Sequence, residues 1–304
     1  MSGVLVIGAA GLIGRAILAQ ARRAGTAEAV VARASGEMPH AHVMPMSPAA
    51  VDPLARLLER LEPTTILNSS GRTSGEPEEL WRANVESVAA ILEAMHLAAP
   101  RARLVHLGSA AEYAEMSSDT TAEDAPLAAS TPYAASKLAA FKLVSEAAES
   151  GLDTVVARVF NPIGPRMPRT SLPGHAARLL LDAVVEGERT IELGPLGAVR
   201  DYVDLRDIAT AVQVLASEAS LAHRVYNVGS GQATVVRDLV TMIAERLEFA
   251  GEVLESSAGS PRSHDVSRRV ADIARMRSTG WMPSVDLAAS VDALAASIAD
   301  RSSR

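Results

Sequence analysis

The 304-residue chain contains no cysteine, which excludes disulfides and thiolate chemistry, catalytic or metal-binding. It has no run of basic residues, and its formal net charge of −7 argues against nucleic acid as a general partner. No segment approaches the length and apolarity of a membrane span. Met1-Ser2-Gly3 leads straight into an apolar run, without the charged and apolar regions of a signal peptide. A cytoplasmic location is therefore expected. His106, His175 and His264 have no partners at metal-ligand spacing and read as structural or surface residues. No internal repeat is visible. What is present, a hydrophobic content of 48%, is enough for a sizeable core in one large α/β domain or two smaller ones.

Short β-rich runs alternate with Ala/Leu-rich helical stretches: Gly3–Gly8, Ala29–Ala32, Thr64–Asn68, Arg103–Leu107 and Thr154–Val159. That rhythm is βαβ and predicts a parallel sheet covered by helices. Two longer helices are expected at about 77–99 and 133–150. After Phe160 the texture changes to Asn161-Pro162-Ile163-Gly164-Pro165 and a Pro-punctuated loop through Gly174 that could open a second module. The tail from Ala296 to Arg304 is expected to fray.

Two features in this frame carry chemistry. The first is Gly8-Ala9-Ala10-Gly11-Leu12-Ile13-Gly14, set between the first apolar run and a helix whose apolar residues keep helical spacing up to Gly25. Glycines at a strand-to-helix turn let the backbone turn tightly, and let a pyrophosphate approach the N–H groups at the helix start, as in Rossmann-type dinucleotide sites. A purely structural turn is the alternative. The second is Tyr133-Ala134-Ala135-Ser136-Lys137. Four residues apart on a helix, the phenol and the ammonium share a face. The ammonium favours the phenolate and so suits Tyr133 to exchange a proton with a carbonyl or carbinol oxygen. A half-buried tyrosine beside a solvated lysine is the competing reading.

With Gly8/Gly11/Gly14, Ser109 in Gly108-Ser109-Ala110-Ala111-Glu112-Tyr113, and Tyr133/Lys137 in this order, the chain resembles the extended short-chain dehydrogenase/reductases, the family of NAD-dependent sugar-nucleotide epimerases, dehydratases and ketoreductases. Asn84 in Arg82-Ala83-Asn84-Val85 matches that family's helix-opening asparagine, for which a proton-relay role and a helix cap are equally open. Arg158–Pro165, Val199–Asp204 and Val225–Gly229 look like its substrate-domain signatures. The resemblance implies a Rossmann-type doubly wound parallel sheet over 1–160 and about 200–222. It also implies a smaller, discontinuous α/β substrate domain over about 161–199 and 223–304.

In that family hydride comes from the nicotinamide while Tyr133 would donate the proton, Ser109 would hydrogen-bond the same oxygen, and Lys137 would hold the cofactor ribose and tune the tyrosine. For Ser109 the bland role is a strand-end serine capping local backbone. Gly8, Gly11, Leu12, Ile13 and Gly14 would line the pyrophosphate. A carboxylate for an NAD ribose is absent from the end of the second strand, where Ala32-Arg33 stands instead; Arg33 could pair with the 2′-phosphate of NADP, so NADP(H) is favoured over NAD(H). Asn161, Arg200 and Arg262 match positions that contact the nucleotide sugar.

Dehydratases of the family place acids directly after the hydroxyl residue, where this chain has Ala110 and Ala111. Glu112 is displaced by one residue and, if the strand persists, lies on its opposite face. These features look most like reductases of GDP-4-keto-6-deoxymannose and related sugars. The expected activity is NADPH-dependent reduction of a nucleotide-activated 4-keto-6-deoxyhexose, with an NDP-sugar 4-epimerase and a non-catalytic NADP sensor as alternatives. Asn68-Ser69-Ser70-Gly71-Arg72 departs from the His-Leu-Ala-Ala-like stretch usual after the fourth strand. Helices 77–99 and 133–150 resemble the pair that forms a four-helix homodimer interface.

Overall fold

In a computed structural model of the chain, residues 3–25, 27–32, 42–44, 47–115, 117–256 and 267–302 are described. Among them a seven-stranded parallel sheet runs in the order Val225–Val228, Thr154–Val159, Arg103–Ser109, Thr65–Asn68, Val4–Ile7, Ala27–Ala32, His42–Val43. Fully buried runs such as Thr154–Val159 need cover on both faces, and both are covered. Helices Leu12–Arg23 and Leu205–Ser217 close one face around Val6, Leu67, Val105 and Val155. Helices Val51–Leu61, Ser87–Ala98 and Pro132–Glu149 close the other around Leu5, Ile7, Ile66 and Leu104. The strand order reverses between Val4–Ile7 and Thr65–Asn68, which opens a crevice at their carboxyl ends. None of the described helices is long and apolar enough to cross a membrane.

Beyond Phe160 the chain builds a separate core. Helices Leu172–Glu186, Val236–Arg246 and Leu287–Ser302 pack Leu180, Leu239, Ile243, Leu294 and Ile298 together. Around them lie short pairings of Asn161–Ile163 with Tyr202–Asp204, Thr190–Leu193 with Glu252–Glu255, and Val199–Arg200 with Thr234–Val235 and Arg268–Arg269. Val225–Val228, grouped with this module on sequence, instead forms the edge of the large sheet beside Thr154–Val159. Two local expectations are corrected. The Pro-punctuated loop ends at Ser171, whose hydroxyl accepts from the Gly174 N–H, so that Pro173 and Gly174 occupy the first turn of a helix. The tail is helical through Ser302, because Val291, Leu294, Ala295 and Ile298 recur at helical spacing and are buried.

Two carboxylates at the start of helix Leu205–Ser217 tie the cores together. Asp207 accepts from the Ser284 N–H and hydroxyl and from the Val285 N–H. Asp204 caps the helix through the Arg206 N–H, pairs with the Arg206 guanidinium and accepts from Ser290. Burial pushes the Asp204 carboxyl up, but the Arg206 and Ser290 hydrogen bonds outweigh it and hold the group below its ordinary range. The unfolded chain takes up this proton near the ordinary value of about 3.9, so the stabilisation is full above that value and is lost as the pH falls toward the depressed folded value. Asp204→Asn should therefore lower the melting temperature at about pH 6 and flatten its further fall on acidification to about pH 3. Calorimetry across that range checks it.

Candidate active site

The crevice is framed first by its glycines. Gly8 adopts φ +81°, and a Cβ there would stand 2.5 Å from the Ser70 nitrogen on the neighbouring strand's exit. A Cβ on Gly14 would stand 2.2 Å from the Gly8 carbonyl oxygen. Both positions are glycine because the chain's own backbone passes there. Gly11 differs. Its Cβ would meet only the Gly8 oxygen, at 3.2 Å, and the residue is exposed. Helix Leu12–Arg23 starts at Gly11 with no side-chain cap and no acidic residue in its first turn, while Arg22 and Arg23 stand in its last. Its first-turn N–H groups lack intrahelical acceptors and form the positive pole of the helix. A bare backbone, an uncapped helix start and half-buried Leu12 and Ile13 beside it fit the pyrophosphate of a dinucleotide.

Across the crevice, Ser109 ends strand Arg103–Ser109, and Lys137 sits one turn after Tyr133 in helix Pro132–Glu149. Lys137 is buried, and its Nζ donates to the Leu107 carbonyl at 2.6 Å, two residues before Ser109. This anchor brings the start of the helix to the carboxyl edge of the sheet, with Tyr133 toward the same end as Ser109. Burial lowers the Lys137 pKa, opposed by the negative charge of Glu112. The lysine is thus no solvated neighbour. Tyr113, Tyr202 and Tyr226 are buried, whereas Tyr133 alone of the four tyrosines is half-exposed. Burial pushes the Tyr113 and Tyr202 phenols up to about 12. Tyr113 donates to Asn227 at 2.6 Å.

Ser109 does cap local backbone, the bland role, and keeps its donor besides. Its Oγ accepts from the Ala111 N–H at 3.2 Å, and a hydroxyl that accepts one bond still has its proton to give. The strand does not persist past it. Ala110–Glu112 form a 3₁₀ turn that carries Glu112 into the interior, where its Oε2 meets Arg158 Nε at 2.7 Å and its Oε1 accepts from the Ser109 N–H at 2.7 Å. Burial raises the Glu112 pKa, against the charges of Arg158 and Lys137 and the hydrogen bonds from Arg158 and Ser109.

Asn84 opens no helix. It lies in a π-helical turn, Arg82–Glu86, between Pro77–Trp81 and Ser87–Ala98. Its amide bonds the Arg72 N–H and C=O at 2.8 and 3.0 Å and donates to Ser136 Oγ at 2.8 Å. Such widened turns recur at functional sites, and here the turn locks the loop after the fourth strand to the helix of Tyr133. Of the two readings, the cap is overturned by that bridge. In the unusual Asn68–Arg72 stretch, Asn68 bonds Ser70 and lies 3.1 Å from His106 Nδ1. His106 is buried; burial first and the Lys137 charge second hold its pKa well below the ordinary value. His175 is exposed, and His264 lies outside the described residues.

On the opposite wall, Asn161 donates its amide to the Asp201 carbonyl at 2.8 Å, which leaves Oδ1 as an acceptor. Arg200 is buried, bonds the Val199 carbonyl, and has its pKa lowered by burial. Arg33 and Arg262 lie outside the described residues. Reasoning from sequence missed Arg269, the register partner of Arg200, which donates to the Ala110 and Tyr113 carbonyls at 2.9 and 3.0 Å. No local signal announces such a contact. It also missed the pairing of Ser109 with Glu112, although Ser-x-x-Glu is the pattern of a capping box.

The chain is similar to known proteins. The model of the NAD dependent epimerase/dehydratase family matches residues 4–229. The chain is 34% identical over 288 residues to the dTDP-6-deoxy-L-talose 4-dehydrogenase (NAD(P)(+)) of Kitasatospora kifunensis, spanning 92% of this chain and 90% of that one. It is 31% identical over 166 residues to the GDP-6-deoxy-D-mannose reductase of Pseudomonas aeruginosa, 54% of each chain. The crystal structure of the Thermus thermophilus UDP-glucose 4-epimerase complexed with NAD superimposes with a TM-score of 0.82 at 25% identity, over 97% of this chain and 98% of that one.

Proposed function

Because the chain belongs to the NAD dependent epimerase/dehydratase family, we propose that it interconverts the 4-keto and 4-hydroxy forms of a nucleotide-activated 6-deoxyhexose, in the direction of reduction with NADPH. The observation that supports this reading is the Lys137 anchor on Leu107, two residues before Ser109 on the same strand, with Tyr133 one turn before Lys137 on its helix. A bound nicotinamide cofactor supplies or takes up the hydride. The side chains handle the oxygen at C4: Tyr133 gives it a proton, Ser109 donates a second hydrogen bond, and the Lys137 cation favours the phenolate that remains. Run backward, the same phenolate removes the carbinol proton.

Gly8, Gly11, Leu12, Ile13 and Gly14 would hold the pyrophosphate of the cofactor, and Arg33 its 2′-phosphate. Asn161, Arg200 and Arg262 orient the nucleotide sugar. Glu112, fully buried against Arg158, is withdrawn from the substrate, which removes the nearest candidate for the extra acid that dehydration needs. The Kitasatospora kifunensis relative, matched over 92% of this chain and 90% of its own, is named as a 4-dehydrogenase of a dTDP-6-deoxy sugar, which favours a thymidine nucleotide within this reading. Trp81 and Leu97 are 48% and 57% exposed on the helical stretch 77–98, in keeping with a homodimer through this stretch and helix 132–149.

Incubation with dTDP-, GDP- and UDP-linked 4-keto-6-deoxyhexoses and NADPH or NADH tests the activity. The expected outcome is stoichiometric NADPH oxidation with a 4-hydroxy sugar as product. Interconversion of C4 epimers without net redox change would instead establish an epimerase, and no turnover with any member of the panel would sink the substrate class.

A further inference from the structure

We propose that Glu112 is a positioning residue that fixes the donor direction of Ser109 through the Ser109 backbone. The proposal rests on the reading of Ser109 as the hydroxyl that meets the substrate oxygen. Glu112 Oε1 accepts the Ser109 N–H at 2.7 Å while Ser109 Oγ accepts the Ala111 N–H at 3.2 Å, a reciprocal lock on a turn of three residues. With one lone pair committed to Ala111, the hydroxyl rotor is restrained and its proton is directed elsewhere.

The carboxylate that sets this lock is itself fixed on all sides. Arg158 Nε binds its other oxygen at 2.7 Å. The guanidinium of Arg158 lies over the rings of Tyr113 and Phe141 at 4.7 and 4.3 Å and donates to the Glu123 carbonyl at 3.2 Å. Phe141 follows Lys137 by one turn on the same helix, so the pair joins the turn of Ser109 to the element that bears Tyr133 and Lys137. Gly108 makes the room: a Cβ there would stand 2.9 Å from Glu112 Oε1 and 2.8 Å from Val156 Cγ1. From the far side Arg269 holds the Ala110 and Tyr113 carbonyls, the two ends of the turn.

A 3₁₀ turn of this length closes without any charge, and burying an ion pair costs more than burying apolar side chains of the same volume. What the pair adds is a charge-assisted, directional acceptor at the backbone of Ser109. Full burial of Glu112 separates this role from proton exchange with substrate.

The test compares two variants that both remove the charges together and so leave no buried guanidinium unpaired. Glu112→Leu/Arg158→Met deletes the acceptor; Glu112→Gln/Arg158→Met keeps an amide oxygen in its place. The first should lower kcat about 10- to 100-fold with KM nearly unchanged, and amide hydrogen exchange at Ser109 should accelerate. The second should recover most of both. In a Ser109→Ala background the first replacement should cost no further kcat, since its effect passes through the missing hydroxyl. An equal loss of kcat with and without Ser109, or equal kcat in the two paired variants, overturns the proposal and leaves the assignment of Ser109 standing. Full turnover by Ser109→Ala alone overturns that assignment and the proposal with it.

Discussion

Tyr133→Phe is expected to cut turnover of the 4-keto sugar about 100- to 10,000-fold, the usual contribution of a positioned general acid, while NADPH affinity and the melting temperature stay close to those of the parent. The phenol is half-exposed, so the lost hydroxyl leaves no cavity in the packed core. Lys137 remains held on Leu107 by a bond that does not involve the phenol. The informative control is Tyr113→Phe. That hydroxyl belongs to a residue much nearer Ser109 in sequence, but it donates to Asn227 in the interior, and burial pushes its phenol up to about 12, beyond useful proton exchange. Its loss strands the Asn227 oxygen and should cost about 1–3 kcal/mol of stability with little change in kcat. Initial rates and melting curves on both variants distinguish a proton donor from a structural phenol. Comparable turnover in Tyr133→Phe and the parent would show that the proton comes from another group.

The residues legible in the sequence share one property: their placement follows from local spacing. A glycine turn between strand and helix, and a Tyr/Lys pair four residues apart, can be read without knowing what lies across the sheet. The strand Thr154–Val159 has the same bounds in sequence and in the fold because a run buried on both faces has sharp limits. Sequence misleads where distant segments decide. Asn84 looks like a helix opener in Arg82-Ala83-Asn84-Val85, and only the approach of Arg72 and Ser136 turns it into a bridge inside a π-helical turn. The tail past Ala296 reads as frayed until Ile298 finds Val291 and Leu294 and, across the core, Leu180 and Ile243. Glu112 follows a related logic. Strand alternation extended past Ser109 puts it on the opposite face, whereas the capping box bends the chain there and sends the carboxylate to Arg158.

Arg269 shows the same limit more sharply. In sequence it is one of two adjacent arginines, Arg268-Arg269, and nothing separates them. In the fold, strand alternation turns one outward and one inward. Arg268 is partly exposed and reaches the Asp119 carbonyl. Arg269 is buried beside the turn of Ser109. Its pKa is lowered by burial first and by the neighbouring Arg200 charge second, with the Glu115 charge opposing the shift of both arginines.

Gly8→Ala and Gly11→Ala should part company, because the two glycines answer to different neighbours. Alanine at 8 must hold φ +81° and place its Cβ 2.5 Å from the Ser70 nitrogen, with backbone rather than a flexible side chain as the obstacle. The left-handed conformation costs about 1–3 kcal/mol and the overpacking about 1–3 kcal/mol more. Because the obstacle is the exit of the adjacent strand, relief requires Val4–Ile7 and Thr65–Asn68 to move apart at the reversal point of the sheet. A fall in melting temperature and a loss of NADPH binding are expected together. Alanine at 11 meets only the Gly8 oxygen at 3.2 Å, in an extended conformation open to any residue. The protein should fold with at most about 1 kcal/mol lost. What its methyl does enter is the space over the uncapped helix start, where a pyrophosphate would lie against the backbone. NADPH should then bind about tenfold more weakly or worse, a penalty of about 1.4 kcal/mol or more, with the melting temperature of the free protein nearly intact. Titration calorimetry and melting curves separate the two behaviours. Unchanged NADPH affinity in Gly11→Ala would mean that the cofactor does not lie over this turn.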